Sequence, residues 1–103
     1  MTTIQALTID GQYSGFDVVG HAGAGTIGND LVCAAVSFLA ITCANALESV
    51  AKVKPVFDQA DGRMWVFVNP HDLNHDAKVI LDVFMQGAKD LLEAYPANVQ
   101  LIK

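Results

Sequence analysis

The chain has 103 residues, 52% of them hydrophobic, with a net charge of −5 and two cysteines. That length fits a single domain, residues 1–103, whose core forms without disulfides or metals. The acidic balance supplies no basic stripe to neutralise phosphates, which argues against direct nucleic-acid binding.

The opening "MTTIQALTID" has neither the basic start nor the apolar core of a secretory signal. The longest apolar run, Leu31 to Ala44, is interrupted by Ser37 and Thr42 and falls short of the roughly 20 residues a membrane span requires. A cytoplasmic location without membrane contact is therefore expected. Residues 3–9 read as a strand, with Ile4, Ala6 and Thr8 on one face and Gln5, Leu7 and Ile9 on the other. Asp10-Gly11 and Ser14-Gly15 supply turn chemistry before a short second strand, Phe16 to Val19. Four glycines in residues 20–28 are too many for a helix or strand interior and predict a mobile loop.

Asn29 or Asp30 then caps a helix with apolar positions at Leu31, Val32, Ala35, Val36, Phe38, Leu39, Ile41, Ala44 and Leu47, ending near residues 50–52. It is apolar nearly all round, which predicts burial against both a sheet and a second subunit. Pro55 to Gln59 reads as a strand, Asp61-Gly62 as a turn, and Met64 to Val68 as the hairpin partner, with Trp65 and Phe67 on one face. Pro70 and Asp72 open a second helix that stops before Pro96, and the tail "NVQLIK" predicts a short final strand. The order ββαββα(β) gives an α+β fold, a two-layer sandwich of a mainly antiparallel sheet covered by two helices on one side.

Cys33 and Cys43 lie ten residues apart in one predicted helix. They are separated by roughly 15 Å along the axis and turned by about 80°, so they cannot bridge each other. A thiol attacks as its thiolate, which a helix N-terminus or a protonated histidine favours. With Asn29 or Asp30 as cap, Cys33 falls in the first helical turn, and His21 lies across the glycine loop as a candidate base. Asp30, Cys33 and Ser37 line one helical face; Asp30 can cap the helix or orient His21, and Ser37 can hydrogen-bond the sulfur or a substrate group. Cys33 and Cys43 also suit small apolar packing, and His21 an ordinary loop position.

The stretch "GHAGAGTIGNDLVCAAVSFL", residues 20–39, resembles the signature of the bacterial ribosomal-processing cysteine proteases called Prp. In that family a Gly-His-Ala and a Gly-x-Asp-hydrophobic-Val-Cys-Ala-Ala-Val-Ser block flank a mobile loop. Here these are Gly20-His21-Ala22 and Gly28 to Ser37, and the late "LLEAYPANVQLI" is similar to the family's ending. Residues 23–27 depart from the pattern, being small where the family carries an aromatic, commonly tyrosine.

The resemblance implies a cysteine endopeptidase that removes a short N-terminal extension from a basic large-subunit ribosomal protein precursor. Cys33 would be the nucleophile and His21 the general base and then acid, with Asp30, Ser37 and Gly20 supporting. The resemblance also implies a homodimer packed through helices. No metal or other cofactor is called for. The rival reading is a dimeric binding module that holds a ribosomal protein or assembly factor without cutting it. A thiol and a histidine flanking a glycine loop favour the enzyme. A metal at His71 and His75 lacks a third ligand, a phosphate loop lacks its Gly-Lys-Ser/Thr, and Trp65 with Phe67 fits core or dimer packing better than base stacking.

Overall fold

A computed structural model describes residues 1–20 and 27–102. Five strands and two long helices follow in the order β1 (Thr2–Ile9), β2 (Gln12–Val19), α1 (Ile27–Ser49), β3 (Val56–Ala60), β4 (Arg63–Phe67), α2 (His75–Ala94) and β5 (Val99–Ile102). The sheet order is β3-β4-β2-β1-β5. Every neighbouring pair is antiparallel except β1 with β5, which run parallel with Thr2 opposite Val99. This is the expected α+β sandwich.

Two-residue turns set the registers. Asp10 and Gly11 both have positive φ, 52° and 77°, the mirror-image turn whose twist matches an antiparallel hairpin. Asp61-Gly62 closes β3 onto β4, with Gly62 at φ 74°. β2 begins at Gln12 rather than Phe16, so Ser14-Gly15 lies within a strand and not in a turn. The pairing slips between Leu7 and Thr8, leaving Ser14 as the extra residue of a bulge. Its hydroxyl donates to the Leu7 carbonyl at 3.3 Å, and its own carbonyl accepts from the Val68 N–H at 2.8 Å. A β-carbon on Gly15 would collide with the Val66 carbonyl, so the glycine answers to a close strand approach.

The inward sheet face carries Ile4, Ala6, Phe16, Met64 and Val66, packed against Val32, Val36 and Leu47 of α1 and Leu81, Phe84 and Ala88 of α2. Met64, Phe84 and Met85 are core residues. The Phe16 and Phe84 rings stack with centroids 3.8 Å apart and planes within 8°. Trp65 and Phe67 instead sit half-buried on the outward face and stack on each other at 5.9 Å, outside the core, which leaves dimer packing of the two expected places. Strand alternation explains this: Met64, Val66 and Val68 take the inward positions.

The second helix also starts later than expected. Pro70–Asp72 forms a separate 3₁₀ turn, and α2 is capped by Asn74, whose side-chain oxygen accepts from the Ala77 N–H at 2.9 Å. The Asn74 amide also donates to the Ala51 carbonyl at 2.8 Å, tying the start of α2 to the end of α1. His71 and His75 therefore belong to different elements, with a turn between them, and do not share a helical face.

Helix α1 begins at Ile27, so its first turn holds Gly28, Asn29 and Asp30 and the loop expected over 20–28 ends earlier. One glycine in a helix costs only about 1 kcal/mol, and an acidic residue in the first turn is favoured by the helix dipole. From Leu31 to Ser49 this helix is long and apolar enough to cross a bilayer by length and composition, a property that the core helix of a water-soluble domain can share. One stripe of it, Val32, Val36, Ala40, Cys43, Ala44 and Leu47, is committed to the core beneath the sheet. The opposite stripe, with Leu31 at 56% and Phe38 at 74% exposure, is uncovered.

Candidate active site

Cys33 is the seventh residue of α1, in its second turn and not its first. The four N–H groups that a helix leaves without intrahelical partners belong to residues 27–30, about one turn before it. The expected advantage of a first-turn thiol therefore does not apply at Cys33. The thiol is half-buried, and its Sγ lies 3.6 Å from Oγ1 of Thr2, a hydrogen-bond distance for the larger sulfur atom.

A cleft of about 150 Å³ opens beside Cys33, between α1 and the ends of β2 and β4. That is comparable to a cavity able to hold a benzene ring, so it has room for one substantial side chain. Cys33, Ser37 and Gly20 all line it. Three expected site residues thus meet at one place, Ser37 one turn along the helix from the thiol. Asp30 lies in the first turn of the same helix, one turn before Cys33. His21 lies outside the described residues, as does most of the departing segment 23–27; the chain reaches the cleft at Gly20, immediately before the histidine.

Gly20 is held by a backbone bond from its N–H to the Gly62 carbonyl at 2.9 Å. The two glycines face each other closely, because a β-carbon on Gly62 would come within 2.8 Å of the Gly20 carbonyl oxygen. Gly62 also needs its left-handed φ, which costs other residues roughly 1–2 kcal/mol. Gly62→Ala should therefore destabilise the fold by about 2 kcal/mol or more and reduce any activity of the cleft. Urea unfolding of the variant checks this; a midpoint equal to wild type would show that the turn relaxes freely.

At the cleft rim, Arg63 donates to Asp17 through Nε at 3.1 Å and Nη2 at 2.9 Å. The Asp17 carboxylate, by hydrogen bond first and then by charge, holds the guanidinium above its already high range. Cys43 is a different kind of thiol: it is buried in the core, and burial pushes its pKa up and keeps it neutral. It is a packing residue.

Thr2 is the site neighbour that sequence reading missed. A strand begun one residue earlier would have set Thr2 on the inward face with Ile4 and Ala6. Alternation was the available signal. The partner across the sheet, Val99, was not readable from local pattern.

The cysteine protease Prp family model matches residues 1–100. A ribosomal processing cysteine protease Prp from Staphylococcus aureus is 28% identical over 98 residues, covering 92% of each chain. Its namesake from Bacillus subtilis is 32% identical over 73 residues, covering 70% of this chain and 65% of the relative. Among solved structures, a Streptococcus mutans protein superposes with a TM-score of 0.88 at 29% identity, covering 99% of this chain and 92% of its own. An S. aureus Prp in complex with a covalently linked product peptide superposes at 0.86 and 26% identity, covering 99% and 98%. With a match that spans the cleft, its cysteine-bearing helix and both flanking strands, the chain belongs to the cysteine protease Prp family.

Proposed function

We propose that this protein is a ribosomal-processing endopeptidase that removes a short N-terminal extension from a basic large-subunit ribosomal protein precursor. The observation that carries the reading is the meeting of Cys33, Ser37 and Gly20 at a cleft large enough for a substrate side chain. Relatives of the same family are named for ribosomal processing, and one holds a product peptide covalently.

In this reading Cys33 Sγ attacks the scissile carbonyl, forming a C–S bond, and the peptide C–N bond breaks as His21 protonates the departing amine. Water, deprotonated by His21, then hydrolyses the thioester and regenerates the thiol. Backbone N–H groups near the start of α1 supply the oxyanion donors. Asp30 orients His21 or its loop, Ser37 contacts substrate or sulfur, and Gly20 sets the strand end that leads to the histidine. The chemistry is complete with these side chains and water.

The exposed stripe of Leu31, Phe38 and Ile41 on α1 supports a homodimer built through that helix. A net charge of −5 supports steering of the basic precursor in the cytoplasm. Mass spectrometry of the organism's own unprocessed ribosomal protein, incubated with the reduced enzyme, tests the function. Cleavage at one site near the precursor's N-terminus is expected; binding without cleavage would replace the protease with the binding module. Steering adds a second expectation: kcat/KM falls as salt rises from about 0.05 to 0.5 M, where the Debye length shortens well below 10 Å. A flat profile would remove steering and leave the cleavage intact.

A further inference from the structure

We infer that Thr2 is a positioning residue for Cys33, and that it links the nucleophile to the strand end carrying His21. The inference rests on the reading of Cys33 as the nucleophile. Thr2 is 4% exposed, and a hydroxyl so buried requires a hydrogen-bond partner. Its Oγ1 stands 3.6 Å from Cys33 Sγ across the interface between β1 and α1.

The strand, not the threonine's own flexibility, places that hydroxyl. Thr2 donates its N–H to the Asn98 carbonyl at 2.9 Å and pairs with Val99 of β5, and a β-branched side chain has few rotamers on such a backbone. On the other side Gly20 packs directly onto it. A β-carbon at Gly20 would sit 2.9 Å from Thr2 Oγ1 and 3.2 Å from Thr2 Cα. One hydroxyl therefore lies 3.6 Å from the sulfur and fills the space that a side chain at Gly20, the residue before the histidine, would need.

The direction of the hydrogen bond follows from the proton count. While the sulfur is protonated, either atom can donate. When the sulfur has given up its proton it can only accept, so the O–H of Thr2 becomes the donor in a charge-assisted bond. The contact thus fixes the sulfur in the form that attacks.

Iodoacetamide alkylation at pH 7, followed at peptide level by mass spectrometry, reads Cys33 directly, with buried Cys43 as the slow internal reference. Thr2→Val keeps the side-chain shape and removes the hydroxyl; Thr2→Ser keeps the hydroxyl. Thr2→Val is expected to slow Cys33 alkylation roughly three- to ten-fold. It should lower kcat for precursor cleavage by a similar factor with KM little changed, while Thr2→Ser retains both. Wild-type alkylation in Thr2→Val would overturn the inference. So would equal losses in both variants that track a lowered Tm, since that is the mark of packing alone. Failure of the wild type to cleave precursor, with the alkylation pattern intact, would remove the protease reading and leave the Thr2–Cys33 contact standing.

Discussion

Cys33→Ala is expected to leave the precursor uncut, and His21→Ala to do the same, under conditions where both variants remain folded. In the proposed mechanism the nucleophile and its base act as one unit, so removing either costs about as much as removing both, on the order of 10⁴-fold or more. What remains is the small acceleration from binding and oxyanion contacts. Cys33→Ala removes about 1 kcal/mol of transfer free energy from a half-buried sulfur and takes a partner from the buried Thr2 hydroxyl, a further cost of about 1–3 kcal/mol, so cleavage is measured at a temperature where the variant is folded. Cys43→Ala is the matched control. It empties a core position and lowers stability by roughly 1–2 kcal/mol, yet precursor cleavage continues at a temperature where the variant is folded. Cleavage that survives Cys33→Ala, or disappears in folded Cys43→Ala, would move the nucleophile elsewhere.

Phe84→Ala carries the largest expected loss of stability. Phe84 is fully buried and stacks on Phe16 at 3.8 Å, joining α2 to β2 at the centre of the sheet. Truncation removes the ring's transfer free energy and leaves a void that close-packed neighbours fill only in part, a cost of about 3–5 kcal/mol. A domain of this size loses roughly 4–8 °C of Tm per kcal/mol, so a fall of at least about 12 °C is expected. β2 ends at Val19, just before Gly20, and cleavage should fail with the fold as temperature rises. Differential scanning calorimetry checks the shift. A loss below about 1 kcal/mol would mean that the core repacks around the gap and that the ring stack is incidental.

Local chemistry made most of the elements legible. Asp10-Gly11 and Asp61-Gly62 announced both hairpins because each turn needs a glycine at positive φ, and apolar spacing announced both helices. The errors fell where two local signals competed. Ser14-Gly15 has turn composition, but a bulge and a close β4 backbone place it inside β2. Gly28 suggested a loop, yet Ile27–Asp30 is helical, which shifted Cys33 by nearly a turn from its expected position. Pro70 and Asp72 have the composition of a helix start and form only a 3₁₀ turn, because Asn74 supplies the side-chain cap to α2.

The site followed the same division. Cys33, Ser37 and Asp30 share one helix, so their common face was readable from spacing. Gly20 meets them only through the sheet, by way of Thr2 and Gly62. Those contacts join residues far apart in sequence, and no periodicity encodes them. The resemblance of residues 20–39 to the family signature supplied Gly20 where local physics could not.

The parallel pairing of β1 with β5 bears on the order in which the protein is assembled. Thr2 is fixed in place by Asn98 and Val99, so the strand beside Cys33 is completed by a contact that closes a loop over almost the whole chain. Such closures are entropically unfavourable until many other contacts exist, and topologies that depend on them fold slowly. The β1–β2 and β3–β4 hairpins and both helices can form from near neighbours; the wall behind the thiol cannot. During synthesis the wall of the candidate cleft at Thr2 is therefore completed only after residues 98–102 have left the ribosome, so a nascent chain carries Cys33 before that wall is in place.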